Sequence, residues 1–301
     1  MKRETLSAYS YLLPFLTVFG IFLAFPVVYS IWISLHKVTL TTNLYHVFSD
    51  MKFAGLANYK EIWNNVEFWW SLIVTILYMI LTIPTGIFLS MILAVLLNQK
   101  IKWASFFQSA YFLPNILDML VIGLIWKFMY SPDGLFDTFF MKIGIDFFHE
   151  TGFLGNPWTA LPAIAMAMVL KGAGFGMVLF LTALKNISPN IFEAADLDGL
   201  TWWQKFRYIQ APLLKPIVLF LAITGTMACL NAFTEFYIMT EGRPISTFLG
   251  ETVGVTKITG YYLFEKFTQI KYGYAAAMSY FLFVFALIIS YINYRWLREK
   301  G

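Results

Sequence analysis

The stretch 68–99, FWWSLIVTILYMILTIPTGIFLSMILAVLLNQ, contains no charged residue and decides the fold class. A helix that crosses a bilayer needs about 20 predominantly apolar residues. The stretch exceeds this length, and it lacks the alternation of apolar and polar residues that is typical of membrane barrel strands. It therefore predicts a membrane-spanning α-helix.

Five further apolar runs flank this stretch. The six predicted spans are 5–35, 68–99, 103–130, 158–184, 216–240 and 272–294. Charged residues make up only 13% of the 301-residue chain, whereas an average soluble domain has about 25%. The predicted fold is an all-α polytopic membrane protein with six transmembrane helices, in a single domain that covers 1–301.

The distribution of basic residues predicts which loops face the cytoplasm, because Lys and Arg concentrate on that side. The predicted inner segments are 1–9, 98–105, 185–215 and 295–301, and the predicted outer segments are 36–68, 132–157 and 241–271. The inner segments hold 11 Lys and Arg in 55 residues, and the outer segments hold 8 in 90. Both termini are therefore predicted to be cytoplasmic.

The outer segment 132–157 carries apolar residues at helical spacing. They are Phe136, Phe139, Phe140, Ile143 and Phe147. Such a pattern fits a short amphipathic helix on the outer membrane interface. A helix that packs over the spans would have the same pattern, so both interpretations stay open.

The inner segment 185–215 is the most strongly patterned loop. Ser188-Pro189 has the residue types of a helix N-cap and first helical position, and Gly199 is suited to ending that helix. A second helix is predicted from the capping-box pair Thr201 and Gln204. The expected return to the membrane is marked by two prolines, Pro212 and Pro216. The loop is therefore predicted to contain two helices joined by a glycine turn.

This loop resembles the EAA loop, the cytoplasmic signature of permease subunits in binding-protein-dependent ABC importers. The residues that carry the resemblance are Glu193-Ala194-Ala195, Gly199, Ile209 and Pro212. The family pattern ends Ile-x-Leu-Pro, and this chain has Ala211 in place of the Leu. That departure removes some apolar contact but no polar group.

Further segments, in the order in which the family has them, resemble its sugar-transporting branch. They are GLANY at 55–59, LAVLLN at 93–98, FLP at 112–114, PDGL at 132–135, TEGRP at 240–244 and GYAAA at 273–277. In TEGRP, Arg243 stands where the branch has a second glycine. The likeness covers most of the chain and is greatest to the first permease subunit of maltose-type and glycerol-3-phosphate-type systems.

The resemblance implies a permease of the type I ABC importer fold in a bacterial or archaeal plasma (inner) membrane. Such a subunit imports a carbohydrate, an oligosaccharide or a related polyol or sugar phosphate, by alternating access. The implied partners are a second permease subunit, two ATPase subunits and an extracytoplasmic solute-binding protein. The chain lacks a G-x-x-x-x-G-K-[ST] phosphate loop, so ATP and Mg²⁺ are expected on the ATPases and no cofactor on this chain.

The implied ATPase-coupling residues are Glu193, Ala194, Ala195, Gly199, Ile209 and Pro212. A capped helical loop is an element that a partner can grip, since small alanines let another backbone approach and Glu193 offers a charge to a basic partner. The alternative is a plain connector whose helices only cap the bundle. The ordered motifs favour the coupling role.

Three ionisable residues lie inside predicted spans, where such groups normally face a cavity or a partner rather than lipid. The predicted substrate pathway consists of Asn231, Thr234, Glu235, Lys171 and Asp118. Carboxylate, amide and hydroxyl groups suit sugar hydroxyls, and the glycines at 172 and 174 allow a bend or a close approach beside Lys171. A structural Lys171–Glu235 pair, or side chains that reach the outer headgroups, are the alternatives.

Other functional classes have less support. The three histidines, His36, His46 and His149, form no His-Glu-x-x-His pattern, and G-x-S-x-G does not occur, so a membrane enzyme and a metal site are not predicted. The net charge of +4 gives no reason to expect nucleic acid,. The single cysteine, Cys229, is interpreted as a packing residue. A secondary transporter or channel that uses the charges inside the spans is the main alternative.

Overall fold

The computed structural model describes residues 2–39, 42–99, 102–145 and 149–298. The longer helices are α1 Lys2–Phe19, α2 Phe25–Ser34, α4 Ala57–Trp63, α5 Val66–Leu97, α6 Ala104–Ile116, α7 Met119–Tyr130, α8 Leu135–Lys142, α10 Ala160–Lys185, α11 Pro189–Leu197, α13 Ala211–Leu230, α14 Thr234–Met239, α15 Thr259–Thr268 and α16 Tyr272–Arg298. The four-residue helices are α3 Val47–Asp50, α9 Gly152–Gly155 and α12 Trp202–Lys205. Two antiparallel hairpins pair β1 His36–Lys37 with β2 Lys52–Phe53, and β3 Ile245–Phe248 with β4 Glu251–Gly254.

Five helical stretches are long and apolar enough to cross a membrane, namely Tyr11–Ser34, Val66–Leu97, Ala160–Lys185, Trp202–Leu230 and Tyr272–Ile292. A sixth crossing is formed if Ala104–Ile116 and Met119–Lys142, which are bent by 101°, count as one span. The all-helical membrane fold is confirmed. One expectation was wrong: the fifth predicted span, 216–240, is not one helix, because its helix ends at Leu230. The third predicted span, 103–130, corresponds to the bent pair.

One compact unit contains the described residues of 1–65 and 263–284. Its first helices are joined by a π-helical turn, Gly20–Ala24, in which the Phe25 amide bonds to the Gly20 carbonyl. The turn ends two residues before Pro26, which has no amide hydrogen to continue the regular ladder,. None of the most apolar window of Tyr11–Ser34 is buried within the chain, so this surface is available to lipid or to another subunit.

The GLANY and GYAAA motifs meet within this unit. Asn58 Nδ2 donates hydrogen bonds to the carbonyl oxygens of Ser34 at 2.7 Å and His36 at 2.9 Å. A Cβ at Gly273 would lie 1.8 Å from the His36 carbonyl oxygen, so only glycine fits. Tyr280 lies seven residues after Gly273 in α16, and its hydroxyl donates to the Val27 carbonyl at 2.6 Å.

The second unit contains residues 66–262 and the described residues of 285–301. Its core lies where α5 and α10 pack, around buried residues that include Ala94, Met177 and Phe180. Ser90 Oγ donates to the Ala173 carbonyl at 3.0 Å. A Cβ at Gly174 would lie 2.0 Å from the Tyr111 carbonyl oxygen of α6. The expected close approach beside Lys171 is therefore present at Gly174, whereas a Cβ at Gly172 would meet nothing within 4 Å.

The β3–β4 hairpin is anchored on α5. Trp70 Nε1 donates to the Gly254 carbonyl at 2.8 Å, and Lys257 pairs with Glu67 at 2.7 Å. The TEGRP segment turns before this hairpin, with Glu241 and Gly242 in the left-handed region at φ 53° and 76°. These contacts hold the segment that follows α14 against the start of α5.

The segment 132–157, which was predicted to lie on the outer side, folds back on the preceding span. Phe136 stacks on Tyr130 at 5.3 Å, and Phe140 and Tyr130 each contact Phe153, at 5.6 and 5.5 Å between ring centroids. These contacts favour the interpretation in which α8 packs over the spans through Phe136 and Phe140. Phe139 and Ile143 remain exposed. Phe147 lies outside the described residues.

Candidate functional site

A cavity of about 450 Å³ lies between α5, α10, α13 and α14 of the second unit. Four of the five predicted pathway residues line it, namely Lys171, Asn231, Thr234 and Glu235. Other groups in the lining include Tyr78, Thr82, Ser90, Cys229 and Phe233. The cavity is therefore mainly apolar, with polar groups near the end of α13 and along α5.

The break between α13 and α14 places these polar groups. Helix α13 ends at Leu230, Asn231 is its C-cap, and α14 begins at Thr234. The bend brings the chain against Gly260, where a Cβ would lie 2.1 Å from the Ala232 carbonyl oxygen. Asn231 and Glu235 are thus on opposite sides of a break, and the expectation that they lie one turn apart on one helix was wrong.

Glu235 is a buried carboxylate in the lining of the cavity, with 5% of its surface exposed. It lies in the first turn of α14, where the positive end of the helix dipole favours a carboxylate,. The Tyr78 hydroxyl of α5 lies beside it. Asn231 is exposed to the cavity side of the break, and its Nδ2 donates to the Met227 carbonyl at 2.8 Å.

Lys171 shares the cavity with Glu235 but makes no ion pair with it within 4.0 Å in the described chain. This conformation therefore lacks the direct Lys171–Glu235 ion pair that was the alternative to substrate contact. Both charges instead face the same space, in which a polar ligand could contact either.

Asp118 lies at the other break, between α6 and α7. It is the N-cap of α7, and its carboxylate accepts a hydrogen bond from the Leu120 amide at 2.8 Å. It is exposed and does not line the cavity, although the next residue, Met119, does. Helix capping therefore accounts for the presence of this carboxylate inside a predicted span, and no ligand is needed to explain it.

The two short helices that follow the breaks pack on each other. A Cβ at Gly123 of α7 would lie 3.4 Å from Ile238 of α14, and Lys127 Nζ donates to the Ile238 carbonyl at 2.9 Å. Lys127 therefore satisfies a carbonyl at the end of α14. The two breaks belong to one packed arrangement next to the cavity.

Sequence reasoning missed the polar face of α5. Tyr78, Thr82, Gly86 and Ser90 all line the cavity. Their spacing of four residues places them on one helix face. That repeat of small and polar residues in an otherwise apolar span was the available signal. Cys229, interpreted as a packing residue, is buried and also lines the cavity beside Thr82, with 3.4 Å between Sγ and Oγ1.

The loop 185–215 has the predicted helix, turn and helix. Helix α11 starts at Pro189, although the Ser188 side chain makes no cap bond, and Gly199 adopts φ +71°. The Thr201–Gln204 capping box is present, with the Thr201 amide donating to Gln204 Oε1 at 2.7 Å. Asp196 and Lys205 form an ion pair that joins the two helices.

The second helix of the loop does not stop before the membrane. Helix α12 passes through a π-helical turn, Phe206–Gln210, directly into α13, so Trp202–Leu230 is one helical stretch of 29 residues. Pro212 and Pro216, which were expected to mark the return to the membrane, both lie inside this continuous stretch. Pro212 follows the π-helical turn, in which the Ala211 amide bonds to the Phe206 carbonyl, so the residue without an amide hydrogen lies where the regular hydrogen-bond ladder is already interrupted,.

The predicted coupling residues divide by exposure. Glu193, Ala194, Gly199 and Pro212 are exposed, Ile209 is half-buried, and Ala195 is buried in its own chain. Large apolar side chains of the same loop are also exposed, namely Ile191, Leu197, Trp202, Trp203 and Tyr208. Leu197 is 90% exposed. We call these five residues the exposed apolar residues of the loop.

Residues 64–299 match the family described as binding-protein-dependent transport system inner membrane component. The chain belongs to this family. It is thus a permease subunit of a transporter in the inner membrane and is not itself an enzyme.

Two curated relatives and one solved structure illustrate the similarity. The chain is 29% identical to the lactose transport system permease protein LacF of Rhizobium radiobacter, over 95% of this chain and 92% of that protein. It is 30% identical to the trehalose/maltose transport system permease protein MalF of Thermococcus litoralis, over 95% and 91%. Its fold resembles a chain of a bacterial alginate ABC transporter in complex with an alginate pentasaccharide-bound periplasmic protein, with TM-score 0.78, 22% identity and coverage of 97% and 93%.

Proposed function

We propose that this permease imports a carbohydrate across the inner membrane as one of two permease subunits that enclose the pathway. A soluble binding protein delivers the carbohydrate, and two separate ATPase subunits bind ATP and Mg²⁺. Residues 1–301 act as one permease domain with both termini in the cytoplasm. The names of the relatives, which transport lactose and trehalose or maltose, support the substrate class.

The observation that carries this proposal is the continuous helix Trp202–Leu230. It begins at the capping box of the loop 185–215 and ends at the break that places Asn231 and Glu235 in the cavity. A displacement of the loop is therefore transmitted along one helix to the polar end of the cavity. This is the mechanical connection that ATP-driven alternating access needs.

The loop has the features of a docking element for an ATPase subunit. The Thr201–Gln204 capping box fixes the start of α12, and the Asp196–Lys205 pair links α12 to α11. The exposed apolar residues of the loop and Glu193 lie on the same two helices and the segment that follows them. Exposed apolar groups with a nearby charge are typical of a surface that a partner covers.

The cavity has the chemistry of a carbohydrate pathway. Asn231, Thr234, Glu235 and Lys171 offer hydrogen-bond donors and acceptors, and Phe233 offers an aromatic face. Sugars combine hydroxyl groups with an apolar ring face, so such a mixture suits them. Asp118 lies beside this pathway, at the break next to Met119, and is the weakest member of the proposed set.

The decisive experiment is co-purification of the chain with candidate ATPase, second permease and binding-protein subunits. Reconstituted vesicles should then show ATP hydrolysis that rises when the carbohydrate-loaded binding protein is added. Uptake that proceeds without ATP, driven by an ion gradient, would instead favour the secondary transporter. Lack of any stable association with an ATPase would remove the main support for the coupling loop.

The orientation is tested by cysteine labelling in a Cys229→Ala background. Asn190 is exposed in the loop, and Asn190→Cys should react with an impermeant thiol reagent only in inside-out vesicles. Ser246→Cys, exposed on the β3–β4 hairpin, is the matched control and should react only in intact cells. Labelling of Asn190→Cys in intact cells would reject the orientation.

A further inference from the structure

A second cavity, of about 490 Å³, lies in the first compact unit. Its lining comes from β1, from α4, and from the segment between α15 and the start of α16. The charged members of the lining are Lys37, Glu61 and Lys271. The residues of the proposed carbohydrate pathway belong to the other unit, so the import mechanism gives this cavity no role.

Two membrane-crossing stretches end at this cavity. Lys37 follows the end of Tyr11–Ser34 by three residues, and Lys271 directly precedes Tyr272–Ile292. The two stretches meet at this end, where Gly273 packs against the chain that follows α2 without room for a side chain. Because the ends of apolar membrane helices lie at the depth of the lipid headgroups, the cavity lies at that depth as well.

Aromatic side chains mark the same boundary. Phe48 contacts Tyr29 of α2 at 6.4 Å and Tyr272 of α16 at 5.4 Å between ring centroids. Tyr29 also stacks on Trp32 at 5.5 Å, and both side chains are exposed. Tyrosine and tryptophan concentrate where a membrane helix enters the headgroup region, so these rings support the same placement.

The charges in the lining do not balance. Lys37 Nζ pairs with Glu61, and Lys271 makes no ion pair within the described ranges. An ammonium group has three donors, so Lys37 keeps donors in addition to the one that Glu61 accepts. Two lysines and one glutamate leave an excess of one positive charge, which a singly charged anion would neutralise.

One wall of the cavity is fixed by the fold, and its cations are adjustable. Asn58 is 0% exposed, and its Nδ2 is held by the Ser34 and His36 carbonyls. Gly273, also in the lining, is buried against the same His36 carbonyl. The two lysines have long, partly exposed side chains that can reach a charged group at the membrane surface,.

We propose that this cavity binds the headgroup of an anionic phospholipid, with Lys271 and Lys37 in contact with its phosphate. Clusters of basic residues beside membrane helices attract anionic headgroups. None of the most apolar window of Tyr11–Ser34 is buried within the chain, so this helix offers the acyl chains of the same lipid an apolar surface. The bound lipid connects the first and last membrane-crossing stretches.

The test uses the full-length chain, purified in a mild detergent, delipidated and studied by native mass spectrometry. Phosphatidylglycerol, which has one negative charge, is compared with phosphatidylethanolamine, which has no net charge. We expect the first phosphatidylglycerol to bind at least about fivefold more tightly than the first phosphatidylethanolamine. Lys271→Gln and Lys37→Gln should each weaken the binding of the first phosphatidylglycerol by about fivefold.

The matched control is Lys60→Gln, because Lys60 is an exposed lysine of α4 outside the cavity lining. Lys271→Gln is the decisive variant, since it breaks no ion pair of the described chain, and its elution from a size-exclusion column checks its folding.

Three results would overturn the proposal. The first is equal affinity of Lys271→Gln and Lys60→Gln for phosphatidylglycerol, and the second is equal binding of the two lipids by the wild type. The third is displacement of the bound lipid by an excess of glycerol 3-phosphate, which would assign the cavity to a soluble phosphate. These measurements require no transport, so their outcome is independent of the proposed import function.

Discussion

The two ends of the helix Trp202–Leu230 differ in what holds them. At the first end, neighbours in sequence supply the contacts: the Thr201–Gln204 capping box and the left-handed Gly199, all exposed. At the second end, distant residues supply them: Gly260 against the Ala232 carbonyl and Tyr78 beside Glu235. The first end, held by local contacts and exposed, suits a docking element for a partner. The second end, held by tertiary packing, suits a binding site whose geometry changes when that packing changes.

The largest expected effect is at the exposed end. If Glu193 becomes buried against a basic group of the ATPase, Glu193→Ala should weaken attachment by roughly 2–5 kcal/mol, because it leaves that partner charge unpaired. We expect loss of ATPase in a pull-down and loss of uptake in the same vesicles. Glu251→Gln, an exposed acid on the β3–β4 hairpin, is the control.

The buried end should respond in a different way. Glu235→Gln and Asn231→Ala should lower carbohydrate uptake roughly tenfold or more, since a hydrogen bond to a charged group contributes about 1.5–3 kcal/mol. ATPase attachment and basal hydrolysis should stay normal, because the loop is unchanged. Measurement of uptake and hydrolysis in the same vesicles separates the two ends. Unchanged uptake in both variants would make these residues structural.

A smaller effect is expected at the glycine turn. Nothing lies within 4 Å of a Cβ built at Gly199, so a substitution there acts through the backbone at φ +71°. Gly199→Val should cost about 1 kcal/mol or more and tilt α11, which uncouples hydrolysis from uptake. Gly199→Asn is the matched control, since asparagine tolerates this conformation.

If Gly199→Val and Glu193→Ala both leave attachment and uptake normal, the loop is only a connector and the contrast between the two ends has no functional meaning. If only Glu193→Ala has an effect, docking depends on the charge and not on the angle between the helices.

The smallest effect is expected at the break before α7. Asparagine caps a helix about as well as aspartate, so Asp118→Asn should keep the bond to the Leu120 amide and leave uptake within about twofold of wild type, well above Glu235→Gln. Uptake assays of the two variants side by side give the comparison. A loss as large as that of Glu235→Gln would place Asp118 directly on the pathway.

The features of this protein that depend on neighbours along the chain could be predicted from the sequence. Apolar length predicted the membrane helices, and the spacing of Gly199, Thr201 and Gln204 predicted the turn and capping box of the loop. These features are local, because a cap or a turn uses hydrogen bonds between residues only a few positions apart. The same holds for the loop's resemblance to the EAA pattern.

The positions at which the apolar runs break, and the cavity that the breaks enclose, depend on tertiary packing and were seen only in the structure. An apolar run is equally consistent with a straight span and with a bent one, because the backbone groups left open at helix ends are satisfied by distant partners, as Lys127 satisfies the Ile238 carbonyl at the end of α14,. For the same reason the sequence grouped Asp118 with Glu235, although one caps a helix and the other lines a cavity. The approach of His149 to Asp137 depends likewise on the packing of α8 over α7, which no local pattern records.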